Sequence, residues 1–98
     1  MNYYKSKQHK RWREIVLRRD EYRCQACKRM GRLVAGTEAH HIWPIATHPK
    51  LRLNTKNGMA LCQTCHDEIE PRTGEYKPPD WMIRRCPLES AALPPPKA

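Results

Sequence analysis

The sequence predicts a small α+β domain. From about Lys7 to Arg19 the apolar residues recur with the period of an α-helix, and residues 37–42 have the length and composition of a β-strand. Two Cys-x-x-Cys pairs, one beginning at Cys24 and one at Cys62, lie on either side of that strand. Ninety-eight residues leave room for one domain, which buries too little surface to build a thick core. We therefore expect a thin core that needs an additional cross-link.

The predicted first helix is amphipathic and basic. Trp12, Ile15 and Val16 stand at i, i+3 and i+4 and form one apolar stripe, and lysines and arginines occupy the other faces. Ser6 is a candidate N-cap, and residues 1–6 are expected to be mobile. A helix of this kind can contact phosphates, but a solvated charged face over a small core explains the same residues equally well.

The two Cys-x-x-Cys pairs predict a structural zinc site. Cys24, Cys27, Cys62 and Cys65 supply the four thiolates that tetrahedral zinc takes. Four protein ligands leave no open position, so this zinc is expected to stabilise the fold rather than to catalyse a reaction. A pair of redox dithiols is the alternative interpretation of a Cys-x-x-Cys sequence.

Two short strands are predicted at residues 32–34 and 37–42, joined by a turn at residues 35–36. The second strand carries two adjacent histidines, His40 and His41. Side chains alternate along a strand, so these two imidazoles should point to opposite faces and cannot easily bind one metal. The pattern therefore favours two roles, one metal ligand and one base.

A second short helix is predicted over residues 63–70, ended by Pro71. His66 lies about 100° around this helix from Cys65, because successive residues of an α-helix are separated by that angle. One helix can therefore contact two metal sites. Asn57, which precedes the second cysteine pair, is suited to holding a base or its loop by hydrogen bonds.

The charge and the cysteine count limit the classes of function. Lysine and arginine number 19 against 10 aspartates and glutamates, a net charge of +9 that favours nucleic acid or an anionic surface. No signal peptide or membrane-spanning run is evident. Cys86 makes the cysteine count odd, which argues against a secreted disulfide framework. We therefore expect a cytoplasmic protein with reduced thiols.

The organisation weakens after Pro71. A short helix is predicted to begin near Asp80 and to pack on the core through Trp81 and Ile83. The proline-rich tail is expected to be disordered. The predicted divisions are a mobile N-terminus (1–6), a main domain (7–71), a C-terminal extension that packs on it (72–86) and the tail (87–98).

Three stretches together resemble the HNH endonuclease motif: residues 38–44, Asn57 and residues 61–66. Residues 17–27 resemble the entry to the zinc-braced, four-cysteine members of that family, and the likeness covers about residues 12–70. It implies a ββα-metal (His-Me finger) core, in which a hairpin, a loop and a helix surround one divalent ion. The chain is most similar in type to the small free-standing members encoded by phages and prophages.

The resemblance also implies a role for each residue of the motif. His40 and His66 are the implied ligands of a catalytic metal, Mg²⁺ or Mn²⁺ first and Ni²⁺ or Zn²⁺ as alternatives. His41 is the implied general base and Asn57 its support. The implied reaction is hydrolysis of phosphodiester bonds in DNA, in which His41 takes a proton from water and the products carry 5′-phosphate and 3′-hydroxyl groups.

Double-stranded DNA is the implied partner, held by its phosphates. Such contacts carry no sequence information, so nicking with low sequence specificity is expected. The resemblance also raises phage packaging proteins as partners, and we expect a monomer or a weak dimer without membrane contact. The candidate phosphate contacts are Arg11, Arg18, Arg19, Lys50, Arg52 and Lys56.

Several alternatives stay open from the residues alone. A non-catalytic, zinc-braced nucleic-acid-binding module would use the same cysteines and charge and would make His41 and Asn57 incidental. Glu38 shares a strand face with the first histidine of the pair, as an outer carboxylate near the metal or as the partner of an arginine. His48 contacts phosphate or is a solvated loop residue, and His9 has no assigned role.

Overall fold

A computed structural model describes residues 6–69 and 78–87 and confirms the predicted α+β class. The helices are α1 (Lys7–Arg19), α2 (Gln25–Lys28), α3 (Gln63–Ile69) and α4 (Asp80–Ile83), and the strands are β1 (Glu38–His41) and β2 (Gly58–Leu61). Two 3₁₀ turns, Pro49–Leu51 and Thr55–Asn57, lie between the strands. The predictions for residues 1–5, 70–77 and 88–98 fall outside the described residues. Over the described ranges, none of the helices has the length and apolarity needed to cross a membrane.

Helix α1 begins at the predicted N-cap, where the Ser6 hydroxyl accepts a hydrogen bond from the backbone N–H of His9 at 3.0 Å. Its C-cap is Asp20, and the next two residues, Glu21 and Tyr22, have positive φ angles of 59° and 56°. Residues other than glycine rarely adopt this left-handed conformation. The resulting sharp turn leads the chain directly into the first cysteine pair.

The buried face of α1 differs from the predicted stripe at one position. Trp12 and Val16 are buried as expected, but Ile15 is 45% exposed and Leu17 is buried instead. The prediction for Ile15 is wrong because periodicity gives the width of an apolar face but not the side that packs on the sheet.

Strands β1 and β2 form a two-stranded antiparallel sheet in which His40 lies opposite Met59 and His41 opposite Gly58. All four residues of β2 are buried, because α1 covers one face of the sheet and the main apolar cluster covers the other. A Cβ atom on Gly58 would lie 2.4 Å from Cγ2 of Val16. Glycine at this position therefore lets α1 approach the sheet closely.

The predicted hairpin between residues 32–34 and 37–42 is wrong. The carbonyl of Val34 instead accepts a hydrogen bond from the backbone N–H of Cys24 at 2.7 Å, and Leu33 is 75% exposed. Pairing β1 with the fully buried β2 removes more apolar surface from water than pairing it with the exposed 32–34 run would. The ββα order is thus built from β1, a long connection, β2 and α3.

Helix α4 begins where predicted, and the segment around it packs on the core. Met82 and Cys86 are fully buried, whereas Trp81 and Ile83, the predicted contacts, are only partly buried. The indole Nε1 of Trp43 donates a hydrogen bond to the carbonyl of Cys86 at 2.8 Å. These contacts join the C-terminal segment to the chain just after β1.

Asp20 joins three parts of the fold through its buried carboxylate. It accepts two hydrogen bonds from Arg19, at 2.9 and 3.0 Å, one from Arg85 at 2.9 Å and one from the backbone N–H of Ala60 at 2.9 Å. Arg19 also donates to the carbonyl of Gly58 at 2.7 Å. The sequence groups Arg19 with the phosphate contacts, but the structure gives it a structural role instead.

We predict that Asp20→Asn destabilises the fold by about 1–3 kcal/mol at pH 7, since the buried carboxylate loses its charge and its hydrogen bonds from two partly exposed arginines. Burial raises the pKa of Asp20, but the hydrogen bonds from Arg19, Ala60 and Arg85 outweigh it and the net pKa is lowered. A lowered folded pKa contributes stability above about pH 4 that is lost as the pH falls through the folded value. Urea unfolding followed by circular dichroism at pH 7 and pH 3 measures both effects.

The control for this substitution is Glu14→Gln, which removes an exposed ion pair with Arg18. Exposed pairs contribute at most about 1 kcal/mol, so this variant should unfold close to the wild type. Equal unfolding midpoints for Asp20→Asn and the wild type at pH 7 would contradict the prediction.

Candidate active site

The four predicted zinc ligands come together in the structure. The Sγ atoms of Cys24, Cys27, Cys62 and Cys65 all lie within 4.8 Å of one another, and those of Cys27 and Cys65 are 3.7 Å apart. A zinc ion with Zn–S bonds of about 2.3 Å places its sulfurs about 3.8 Å apart in a tetrahedron. The cluster therefore fits zinc, and within residues 6–69 and 78–87 it is the one such group of three or more ligands.

The local backbone favours the thiolate form of Cys24. Burial opposes ionisation of Cys24, but hydrogen bonds from the backbone N–H groups of Cys27 and Cys62 outweigh it and lower the pKa of Cys24 to about 7. Burial and the neighbouring thiols raise the pKa of Cys65, and burial also raises the pKa of Cys27. A cation among the sulfurs would offset the effect of burial on ionisation, because it stabilises all four thiolates together.

The two predicted metal-binding histidines lie next to each other. His40 is 2% exposed, and its ring centroid is 5.4 Å from that of His66, with the rings nearly perpendicular. The Nδ1 atoms of both rings are buried. His66 follows Cys65 on α3, and its backbone N–H donates to the carbonyl of Cys62 at 2.9 Å. The first turn of α3 thus holds both a cysteine of the cluster and one of these histidines.

His41 lies on the other face of β1, as the alternation along the strand predicts. Its Nε2 is 3.0 Å from the carbonyl oxygen of Arg52. Its ring lies parallel to the indole of Trp12, with centroids 4.0 Å apart and an angle of 4° between the planes. The two adjacent histidines are therefore held by different elements, His40 beside α3 and His41 beside α1.

Asn57 is fully buried and connects the two strands at the site. Its side-chain oxygen accepts a hydrogen bond from the N–H of Trp43 at 2.7 Å, and its amide nitrogen donates to the carbonyls of Trp43 and Leu51 at 3.0 and 3.3 Å. Its own carbonyl accepts from the N–H of Ile42 at 2.9 Å. Asn57 therefore holds the segment that directly follows the two histidines of β1.

Residues 24–72 match the sequence profile of the family described as HNH endonuclease. The chain also resembles the crystal structure of an HNH endonuclease from the deep-sea thermophilic bacteriophage GVE2, solved with a manganese ion. The two are 33% identical and superpose with a TM-score of 0.65, over 67% of this chain and 72% of the phage chain. The chain belongs to the HNH endonuclease family. No curated protein matches it.

Membership in the HNH endonuclease family makes the protein a nuclease that hydrolyses phosphodiester bonds. The histidines of the HNH motif lie on β1 and α3, and β2 lies between these elements in the chain, which gives the order ββα. The interpretation of the cysteine pairs as separate redox dithiols loses support, since the two pairs come together in one cluster that fits a metal.

Sequence reasoning missed two aromatic residues of this HNH site. Trp12 stacks on His41, and His9 lies one turn earlier on α1, with centroids 5.6 Å from Trp12 and 6.0 Å from His41. Burial, with the charge of Arg13, lowers the pKa of His9. Periodicity identified Trp12 as apolar, but no local signal indicates that α1 packs against the end of β1.

Two other residues of the HNH motif region make contacts within the fold. The carboxylate of Glu38 accepts a hydrogen bond from the hydroxyl of Thr37 at 3.4 Å. His48 Nδ1 lies 2.8 Å from the hydroxyl of Thr47, and its ring packs on Trp43 with centroids 5.1 Å apart. His48 is therefore part of the folded connection rather than a fully solvated side chain.

We predict that Asn57→Ala lowers the free energy of unfolding by about 1–3 kcal/mol for each buried group left unpaired, because the backbone of Trp43 and the carbonyl of Leu51 lose their partners. The amide of Trp43 should also exchange with solvent faster. Chemical unfolding and hydrogen exchange measure these effects.

The control is Asn54→Ala, whose side chain accepts a hydrogen bond only from the backbone N–H of Lys56. The same exchange rate at Trp43 in Asn57→Ala and the wild type would be evidence against this role.

Proposed function

We propose that the protein nicks double-stranded DNA by metal-assisted hydrolysis, with His41 as general base and one divalent metal held by His40 and His66. The observation that carries the proposal is the division of the two adjacent histidines. His40 lies beside His66, while His41 is held separately on the opposite face. One imidazole is thereby available to a metal and the other to a proton.

The contact with Arg52 supports the assignment of the base. A carbonyl oxygen can only accept a hydrogen bond, so Nε2 of His41 carries the proton in this contact. In the neutral ring the other nitrogen, Nδ1, is then the acceptor. Nδ1 takes a proton from a water molecule, and the resulting hydroxide attacks phosphorus opposite the leaving 3′ oxygen. The bond between phosphorus and the 3′ oxygen breaks, and this oxygen takes a proton from a second water molecule to give the 3′-hydroxyl product.

The imidazoles of His40 and His66 are a donor set that fits a catalytic cation. His40 and His66 would hold the metal, which would supply stabilisation of the negative charge that develops on the phosphate and leaving oxygens. We propose Mg²⁺ or Mn²⁺, with Ni²⁺ or Zn²⁺ as alternatives. The manganese ion in the similar phage structure supports a divalent cation of this class.

The cysteine cluster is proposed to hold a structural zinc. Zinc at Cys62 and Cys65 would anchor the start of α3 and thereby the position of His66. Asn57 would hold the chain that follows His41, in support of the base.

The exposed cations of α1 and of the connection between the strands are proposed to contact the DNA phosphates. Binding through phosphates should weaken steeply with salt and show little sequence preference.

One catalytic site cuts one strand at a time, so nicking is the expected activity. A monomer or weak dimer, and phage packaging proteins as partners, stay predictions. The remaining candidates for phosphate contacts are Arg11, Arg18, Lys50, Arg52 and Lys56.

We predict that the protein converts supercoiled plasmid to the nicked form with Mg²⁺, Mn²⁺ or Ni²⁺, and that His41→Ala slows this by about 10²–10⁴-fold through loss of the base. His66→Ala should lose activity but keep its zinc. Glu68→Gln, at an exposed position of the helix that carries His66, is the control and should cut like the wild type. Gel analysis of plasmid forms measures the rates. A wild type that binds DNA but never nicks it in any metal would support a non-catalytic binding module instead.

We also predict one tightly bound zinc per chain, lost together with the fold in Cys62→Ala. Structural zinc contributes on the order of 10 kcal/mol of folding free energy, about as much as the whole stability of a small domain. Metal analysis and far-ultraviolet circular dichroism measure zinc content and folding. Cys86→Ala removes the fifth cysteine, which lies outside the cluster, and should keep the zinc. A folded Cys62→Ala variant with unchanged zinc content would contradict the proposed ligand set.

A further inference from the structure

We propose that Trp12 is a positioning residue for His41: the indole face sets the plane of the imidazole and thereby the direction of its proton-accepting nitrogen. This inference rests on the proposed role of His41 as the base. It adds helix α1, which precedes the HNH profile match at residues 24–72, to the catalytic machinery.

The first support is the geometry of the two rings. Their centroids are 4.0 Å apart and their planes differ by 4°, so the indole covers one face of the imidazole at contact distance. Trp12 is 2% exposed, and therefore cannot move aside without opening the contact between α1 and the sheet. Rotation of His41 out of the parallel plane would bring the two rings into collision.

The second support is that both rings are anchored to the same short segment of the chain. Nε1 of Trp12 donates a hydrogen bond to the carbonyl of Asn54 at 2.9 Å, and Nε2 of His41 contacts the carbonyl of Arg52 at 3.0 Å. Two carbonyls two residues apart thus fix the edges of two stacked rings. A hydrogen bond alone leaves an imidazole free to rotate about that bond, and the indole face restricts this rotation.

The third support is the space that the fold provides for Trp12. Gly58 lies opposite His41 in the sheet, and a Cβ atom there would lie 2.8 Å from Cζ2 of Trp12. The missing side chain therefore lets the indole reach the end of β1. His9 adds a further aromatic ring one turn earlier, 5.6 Å from Trp12 between centroids.

The decisive experiment separates positioning from general stability. Trp12→Leu and Trp12→Met keep an apolar side chain but remove the flat face. Trp12→Phe keeps a flat face. Leu17→Ala is the control, because it removes buried packing elsewhere on α1. We expect kcat for plasmid nicking to fall about tenfold or more in the Leu and Met variants with little change in KM, because a misdirected base slows chemistry but not binding. Trp12→Phe should restore most of kcat, and Leu17→Ala should lower the melting temperature without lowering kcat.

A double-mutant cycle tests whether Trp12 acts through His41. In a His41→Ala background, Trp12→Leu should change the residual rate by less than about twofold, since the group that it positions is gone. An equal loss of kcat with and without His41 would overturn the proposal. So would parallel losses of kcat and melting temperature in Trp12→Leu and Leu17→Ala.

Nuclear magnetic resonance provides a readout that does not depend on activity. The indole ring current should shift the ring protons of His41 upfield from their positions in the unfolded protein, and Trp12→Phe should reduce this shift. Unshifted His41 protons in the folded wild type would overturn the proposal. If His41→Ala nicks as fast as the wild type, the proposed function fails; if only Trp12→Leu does so, the positioning inference alone fails.

Discussion

The close approach of four cysteine sulfurs is the constraint on which the rest of the structure depends. It joins the turn after α1 to the end of β2 and the start of α3, which are far apart in the sequence. Because His66 directly follows Cys65 on a helix, fixing one side chain also fixes the direction of the next. The short distance between His40 and His66 therefore depends on the cysteine cluster as well as on the sheet.

The two faces of β1 have different neighbours, and this difference separates the proposed ligand from the proposed base. One face meets α3 and the apolar cluster around Met59, whereas the other meets α1 across Gly58. A strand flanked on both sides must be buried on both sides, which explains why β2 is apolar or small throughout. The thin core predicted from the composition is thus divided into two layers around one short sheet.

Buried polar residues connect these layers more extensively than apolar contacts could in so small a domain. The carboxylate of Asp20 links α1, β2 and Arg85 near the C-terminal end of the described chain. Asn57 links the start of β2 to the chain that leaves β1. Each of these groups is costly to bury without partners, so each specifies one arrangement of its neighbours.

The sequence by itself determined the chemistry that depends on local spacing. Two Cys-x-x-Cys pairs, adjacent histidines and a histidine after Cys65 are visible without a fold, since neighbours in a strand or helix have known relative directions. These patterns predicted the cysteine cluster, the opposite faces of His40 and His41, and the family. The N-cap at Ser6 was predictable for the same reason.

Only the tertiary structure decided which distant segments meet. The partner of β1 is β2 rather than residues 32–34, because burial on both faces outweighs proximity in the chain. Arg19 binds the buried carboxylate of Asp20, although its sequence context resembles that of the other basic residues of α1. The stacking of Trp12 on His41 joins residues that are 29 positions apart, and no periodicity specifies such a contact. It depends on how closely a helix can approach a glycine in the opposite strand.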